Sequence, residues 1–215
     1  MRERFEAIYT AALADILDAR GLHDQTLPPA IVPLERAMRV AGPAYTVKGA
    51  AAPNDDRAAY DEAIRKVLAM LGDVPESHVA VYACEQDVSA HLGELSVTSL
   101  RARGVAGCVL DGGCRDVGFI LEQSFPVFCR FVTPEDSTWR WELEATQVPI
   151  TIGRVRIEPG DWIAGDADGV VVVPRAIAED VLIEAEAKAA TESEIRLAVR
   201  DGTPPLEAYE RYGTF

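Results

Sequence analysis

The sequence is poor in the residues from which disulfide scaffolds and zinc sites are built. It has 4 cysteines and 3 histidines among 215 residues, the cysteines form no CxxC pair, and the histidines are widely spaced. A disulfide-stapled protein or a multi-histidine metal site is therefore not expected. We expect reduced, mostly buried thiols at all four cysteines. At Cys114 the neighbouring Arg115 could favour a thiolate, but no histidine is nearby in sequence to act as its base.

Several catalytic motifs, long apolar runs and an excess of positive charge are also missing. The chain has no GxSxG, HExxH or GxxxxGK[ST] motif and no GxGxxG after a predicted strand, so serine hydrolase, zinc protease and nucleotide-binding interpretations lose their basis. No apolar run approaches the roughly 20 residues of a membrane span, and the first residues lack a signal peptide's apolar core. With 21 basic against 35 acidic residues, the net charge of −14 repels nucleic acid phosphates. We expect a cytoplasmic protein that binds neither nucleic acid nor membrane.

Hydrophobic periodicity predicts an α/β fold, and the lack of an interdomain linker indicates a single domain over residues 1–215 with a short tail at 203–215. Three-to-four spacing predicts helices at 1–20, 55–71, 94–103 and 175–200. Short apolar runs predict strands ending at Lys48 and spanning 78–84, 105–110 and 125–131, followed by β segments with tight turns up to 174. The last helix would be about 37 Å long at about 1.5 Å per residue. That length suggests packing on another subunit.

The stretch 91–119 combines features of an anion site and a cation site. Gly93 lets the backbone approach a ligand, and the helix after it would offer free N–H groups to a carboxylate or phosphate. The buried strand 105–110 is followed by two glycines that we interpret as a sharp turn presenting Arg115 beside Asp116. Asp116 alone suits Mg²⁺, which keeps several waters, and Arg115 could clamp the carboxylate or enolate oxygen of an α-keto acid.

Other acidic residues and one histidine have a structural explanation beside a functional one. Asp15 and Asp18 fit a solvated helix face, or they could reach a neighbouring subunit's site. His78 fits a polar strand end. Asp166 and Asp168 fit a turn that bonds its own backbone, with metal or substrate contact as the alternative.

Two tryptophans and one lysine raise further alternatives. Trp139 and Trp141 are two residues apart, so they would pack together on one strand face or form a rim that restricts substrate size. Lys48 is the serious candidate for a Schiff-base aldolase among the three lysines of the chain. Borohydride trapping with pyruvate separates that chemistry from a metal-dependent one.

Five segments resemble the family that contains the class II 4-hydroxy-4-methyl-2-oxoglutarate aldolases, oxaloacetate decarboxylases and the RraA regulators of ribonuclease E. They are GPAYTV at 42–47, GEL at 93–95, RGVAGCVLDGGCRDVGF at 103–119, FPVF at 125–128 and PGDWIAGDADGVVVVP at 159–174. The resemblance covers about residues 10–202, which we expect to be the core of the domain, and it implies a swivelling β/β/α-type domain with a long C-terminal helix. It also implies trimers or hexamers with active sites at subunit interfaces, and a divalent Mg²⁺ or Mn²⁺.

The resemblance also assigns roles to residues. The backbone of Gly93, Glu94 and Leu95 would hold the pyruvyl carboxylate of a 2-oxo acid, Arg115 would bind its keto or enolate oxygen, and Asp116 would anchor the metal. A glutamate from the neighbouring subunit's last helix matches Glu192, which we take as a catalytic residue with Arg115 and Asp116.

These roles predict a divalent-metal-dependent lyase that cleaves a 4-hydroxy-2-oxo acid to pyruvate and a second carbonyl compound. Decarboxylation of oxaloacetate is a further reaction that the same enolate would allow. Aldolase members tend to carry an acidic residue two or three positions beyond the Arg-Asp pair, where this chain has Gly118 and Phe119. A non-catalytic regulator that binds a basic protein segment, such as that of a ribonuclease, is therefore the alternative.

Overall fold

A computed structural model describes residues 1–53, 56–86 and 88–215. The helices are α1 (Arg2–Ala7), α2 (Thr10–Ala19), α3 (Arg57–Asp73), α4 (Glu94–Ala102), α5 (Val117–Glu122), α6 (Ala178–Arg200) and α7 (Pro205–Tyr212). The strands are β1 (Val32–Pro33), β2 (Val40–Ala51), β3 (Val79–Ala83), β4 (Ala90–Leu92), β5 (Gly107–Cys114), β6 (Val127–Val132), β7 (Trp141–Thr146), β8 (Ile150–Ile152), β9 (Val155–Ile157), β10 (Trp162–Asp166) and β11 (Gly169–Val173).

Nine strands form one mixed sheet in the order β1-β6-β5-β3-β2-β10-β11, with β4 paired to β5 and β7 to β2. The central strands β2, β3, β5 and β6 are parallel, as expected where helices connect consecutive strands. Strand β2 is long enough to serve two parts of the sheet, because its first residues pair with β10 and its later residues with β3 and β7.

The two ends of the sheet are brought together by one short segment. Backbone hydrogen bonds join residues 25–27 to β11, including Leu27 N–H to the Val170 carbonyl at 2.9 Å. A few residues later, Val32 and Pro33 pair with β6 at the opposite end. The sheet is therefore nearly closed into a barrel.

Alternating residues of the parallel strands face two different cores. Val79, Val81 and Ala83 of β3 pack into a cluster that also buries the apolar residues of the β8–β9 hairpin. Ala80 and Tyr82 face the other side, where α3, α4 and α5 pack. A third cluster joins α1, α2 and the first half of α6 to the sheet next to β10 and β11. In the described part of the chain, none of the helices has the length and apolarity to cross a bilayer.

Most predicted elements are present, but three details are wrong. The helix predicted over 1–20 is divided into α1 and α2, with Ile8 extended between them. The Gly112-Gly113 pair lies inside β5 and forms no turn. Trp139 and Trp141 do not pack together, because Trp139 precedes β7 and contacts Tyr60 while Trp141 is buried. Asp55, the predicted start of the helix observed as α3, lies outside the described residues.

The long C-terminal helix is confirmed. Arg175–Ile177 forms one 3-10 turn, and α6 then runs for 23 residues, about 35 Å at about 1.5 Å per residue. Its buried residues are concentrated in the first half, and Ile195 is the one buried residue beyond Ala185. The tail folds as α7 and contacts α6.

Candidate active site

Gly93 joins β4 to the N-terminus of α4. Its φ of −134° and ψ of −178° are extended values that any residue adopts, so the backbone does not require glycine here. Glycine is required because there is no room for a side chain: a Cβ on Gly93 would lie 2.7 Å from Asp116 Oδ2 and 3.2 Å from Arg115 Nε. The first amides of α4 have no intrahelical acceptor and carry the positive end of the helix dipole. The missing side chain therefore opens these amides to Arg115 and Asp116.

Arg115 and Asp116 directly follow β5 and are held by that strand's pairing. The amide of Arg115 donates to the Leu92 carbonyl at 3.0 Å, which fixes the pair beside the end of β4. Asp116 adopts a left-handed conformation with φ of 59° and ψ of 33°. Aspartate visits this region more readily than most residues, at a cost of about 1 kcal/mol. The turn sends the chain into α5 and directs the carboxylate back toward α4.

A hydrogen bond connects the two halves of the site. The amide of Glu94 donates to Asp116 Oδ2 at 3.1 Å. Arg115 Nε lies 3.7 Å from the same oxygen, and the two side chains are 36% and 42% exposed. The Asp116 carboxylate thus lies where a bound carboxylate would meet the helix amide. The structure thus places Gly93, Glu94, Arg115 and Asp116 close together, and their roles in binding or catalysis stay predictions.

Asp136 also belongs to the cluster, although no pattern in the sequence indicates it. It lies in the loop between β6 and β7, with Oδ1 3.8 Å from Arg115 Nη1. A surface cavity of about 350 Å³ begins at Arg115 and Asp116 and continues along Val132, Thr133 and Pro134. The cavity is large enough for a small organic acid.

The donor groups fit a hard cation held largely by water and ligand oxygens. Among the described residues, no group of three or more His, Cys, Asp or Glu side chains is arranged to enclose a metal ion. Asp116 offers an accessible carboxylate whose recorded hydrogen bond uses Oδ2. One carboxylate with several waters is a common arrangement for Mg²⁺, so Asp116 suits such an ion.

Two other predicted site residues, Glu192 and Leu95, form no hydrogen bond or ion pair with Arg115 or Asp116 among the described residues. Glu192 accepts a hydrogen bond from the Tyr9 hydroxyl, and its Oε1 lies 3.3 Å from Lys188 Nζ. Those contacts belong to the α2–α6 face of the same chain. Leu95 lies in the first turn of α4 with its side chain 79% exposed, so its amide is the part that can serve the site.

The Schiff-base and thiolate alternatives do not fit the structure. A hydrogen bond and the charge of Glu144 raise the pKa of Lys48, whereas a nucleophilic amine needs a lowered pKa. Burial raises the pKa of the Cys114 thiol to about 12, so the expectation that Arg115 favours a thiolate is wrong. All four cysteines are buried and reduced, as predicted.

The remaining acidic candidates make structural contacts. Asp166 is buried and accepts hydrogen bonds from the amide and hydroxyl of Thr10 and from the Asp168 amide. Asp15 lies 3.1 Å from Lys188 Nζ, and Asp18 lies 3.1 Å from the exposed ring of His23. His78 is half-buried just before β3, with Nδ1 3.0 Å from the Glu76 carbonyl. The structural explanations hold for these residues.

Fold and site together define a mixed α/β protein with a nearly closed sheet, in which the N-terminus of a helix faces an Arg-Asp pair. The chain belongs to the RraA-like family: the family model described as Aldolase/RraA matches residues 10–172. That match includes all of β1 to β10 and the Arg115–Asp116 site.

Individual relatives extend the similarity over nearly the whole chain. A provisionally named 4-hydroxy-4-methyl-2-oxoglutarate aldolase of Halalkalibacterium halodurans is 34% identical over 206 residues, covering 96% of this chain and 91% of that protein. An uncharacterized protein from Pseudomonas syringae pv. tomato is 31% identical with a TM-score of 0.85, covering 98% and 92% of the two chains. Streptomyces coelicolor RraAS2, described as an unusual member of the RNase ES inhibitor RraA family, is 28% identical with a TM-score of 0.79 over 90% and 94%.

Proposed function

We propose that the protein is a divalent-metal-dependent lyase that cleaves a 4-hydroxy-2-oxo acid to pyruvate and a second carbonyl compound. The same site would decarboxylate oxaloacetate, because both reactions pass through the enolate of pyruvate. The observation that carries this proposal is the cluster of the Glu94 amide, Arg115 and Asp116 around the bare Cα of Gly93. The name of the Halalkalibacterium halodurans relative supports the same reaction.

The chain's own groups would hold the acid and stabilise developing charge. The amides at the start of α4, one of which now donates to Asp116, would donate hydrogen bonds to the substrate carboxylate, and Asp116 would be the residue that holds the cation. Arg115 would donate to the keto oxygen and stabilise it as negative charge develops, the role of an oxyanion donor. Mg²⁺ or Mn²⁺ at Asp116 would add Lewis acidity toward the pyruvyl oxygens.

The site would be completed by a second subunit in a trimer or hexamer. Leu95 and Phe119 are 79% and 63% exposed on the first turns of α4 and α5, the helices that follow Gly93 and Asp116. Apolar side chains so exposed favour an interface at this position. Glu192 of the neighbouring subunit is our candidate for holding the water that carries a proton, since its own chain keeps it on a different face.

Pyruvate release coupled to lactate dehydrogenase tests the proposal, with oxaloacetate and 4-hydroxy-2-oxo acids as substrates and Mg²⁺ or Mn²⁺ present. Arg115→Ala should lower kcat by about a hundred- to a thousandfold, the usual loss for an oxyanion donor. Arg101→Ala is the matched control, because Arg101 is an exposed arginine in the last turn of α4. Activity of Arg115→Ala within a few-fold of wild type would show that the site is elsewhere.

Metal and Schiff-base chemistry are separated by two further treatments. EDTA should abolish turnover, and added Mn²⁺ should restore it. Borohydride with pyruvate should leave Lys48 unmodified, because Glu144 keeps its amine protonated. Trapped pyruvate on Lys48 together with EDTA-resistant turnover would overturn the metal-dependent mechanism.

A regulatory role is the second candidate, supported by the Streptomyces coelicolor relative and the net charge of −14. In that case the acidic surface would bind a basic protein segment. If no substrate releases pyruvate while Mn²⁺ binding still depends on Asp116, the result would favour a regulator over a lyase.

A further inference from the structure

Arg115 has a second carboxylate neighbour on a separate loop. Its Nη1 lies 3.8 Å from Asp136 Oδ1, while its Nε lies 3.7 Å from Asp116 Oδ2. Charge-assisted hydrogen bonds to an arginine are shorter, about 2.7–2.9 Å. Both contacts are therefore loose ion pairs that orient the guanidinium while leaving N–H groups able to bind a ligand.

The Asp136 side chain is itself fixed by its own loop. Oδ1 accepts hydrogen bonds from the amide and the hydroxyl of Thr138, at 3.1 and 3.0 Å. Either donor could be served by the neutral oxygen of an asparagine equally well. The turn therefore explains a polar acceptor at position 136 but leaves the negative charge unexplained. Arg115 is the ion-pair partner recorded for that charge among the described residues.

The loop is anchored to the strand that leads into the site. The Ala90 amide donates to the Glu135 carbonyl at 2.8 Å, and Ala90 forms a β-bridge with Asp136. Ala90 begins β4, three residues before Gly93. On the outer side, Arg140 donates to the Asp136 carbonyl at 3.0 Å. Asp136 and Gly93 are thus both attached to β4.

We propose that Asp136 is a positioning residue that holds the Arg115 guanidinium in the orientation needed to meet the enolate oxygen. The inference rests on the proposed lyase function. Without the charge at 136, Arg115 would be drawn toward Asp116, its remaining carboxylate partner. The arginine would then neutralise the carboxylate assigned to the cation and withdraw from the substrate oxygen.

The test compares Asp136→Asn, Asp136→Glu and Glu135→Gln in the pyruvate-release assay on the full chain with Mn²⁺. Asp136→Asn keeps the acceptor for Thr138 and removes the charge, so kcat should fall by about tenfold, less than for a lost oxyanion donor. KM should change by less than about threefold, because the enolate contact forms mainly in the transition state. Asp136→Glu should recover most of kcat, since a loose ion pair tolerates a longer side chain.

Glu135→Gln is the matched control, because Glu135 is exposed and pairs with Arg140 at 3.1 Å. It should keep kcat within about twofold of wild type, as expected of a surface ion pair. Thermal unfolding of all three variants checks that the loop remains folded.

The outcomes distinguish this inference from the function on which it rests. If Arg115→Ala is inactive while Asp136→Asn keeps kcat within twofold of wild type, the positioning role is refuted and the lyase stands. If Asp136→Asn lowers Tm together with kcat and Asp136→Glu restores neither, Asp136 is a loop residue and the inference is also refuted. If wild type and Arg115→Ala release pyruvate equally, the proposed function fails first.

Discussion

For Gly93→Ala the structure predicts a large effect on activity and a small effect on folding. The new Cβ would lie 2.7 Å from Asp116 Oδ2, and ordinary contact begins at 3.4 Å. The carboxylate must therefore retreat by about 0.7 Å, and Arg115 Nε at 3.2 Å must also move slightly. Both obstacles are side-chain ends, so the backbone can stay in place.

The expected stability change is small because opposing effects offset one another. Alanine adopts the observed φ of −134° without strain, and replacing glycine at a compatible position stabilises by about 0.4–1 kcal/mol through the unfolded state. Alanine is a poorer N-cap than glycine, by a similar amount. The net change should stay within about 1 kcal/mol, or a Tm shift below about 4 °C for a chain of this size.

The expected change in activity is large. Misplacement of catalytic groups by about 1 Å can cost about a hundredfold, so kcat/KM for oxaloacetate should fall by about that factor. Gly72→Ala is the matched control, because it lies in α3 with nothing within 4 Å of a new Cβ. Gly49→Ala is the opposite case, since its Cβ would collide with Trp141 and should prevent proper folding. A folded Gly93→Ala variant with kcat/KM within threefold of wild type would refute the site geometry.

Three further predictions concern stability and ligand binding. Burial lowers the pKa of His91 from its ordinary 6.5 to about 4. Between pH 6.5 and pH 4 the unfolded chain therefore binds a proton at His91 that the folded chain does not, so the free energy of unfolding falls as the pH drops through this range. The loss should approach roughly 3 kcal/mol, and His91→Phe should flatten this part of the Tm–pH curve; an unchanged slope would contradict it. Asp166→Ala removes an acceptor of three hydrogen bonds and should cost about 3 kcal/mol in urea unfolding, without change in KM; unchanged stability would show that these bonds do not matter. Asp116→Asn should weaken Mn²⁺ binding at least about tenfold by calorimetry while leaving Tm nearly unchanged, and wild-type affinity would place the cation elsewhere.

The sequence could predict the elements whose signals are local. Helix α4 was expected at 94–103 and spans Glu94–Ala102, because a glycine lies at each end and a regular apolar stripe between them. The same local signals wrongly predict a turn at Gly112 and Gly113, which lie inside β5. Their missing side chains serve packing instead: a Cβ on Gly112 would meet Cys84 and His91, and one on Gly113 would meet Phe131. Those neighbours come from β4, from β6 and from the residue after β3, so no local pattern in the sequence indicates them.

The candidate site likewise contains residues that local sequence predicts and one residue, Asp136, that it does not. Gly93, Arg115 and Asp116 are close in sequence to the strands and helices that position them, and their grouping was predictable from the 91–119 stretch. Asp136 is not, because it reaches Arg115 through the pairing of its loop with Ala90, more than 40 residues away in sequence. In the sequence, Asp136 is an acidic residue in a proline-containing loop, a pattern typical of an ordinary turn. A tertiary contact decided its position.

The short segment that pairs with β11 at residues 25–27 and with β6 at Val32 and Pro33 has a consequence for how the chain folds. Its partners are about a hundred or more residues away in sequence, so neither pairing can form until most of the chain is in place. Such non-local pairings form slowly because loop closure must precede them. Until then both sheet edges are open to pairing with other chains. Pairing of this segment with β11 and β6 should therefore be a late step in folding. The rate of that step should determine how long newly made chains remain prone to aggregation.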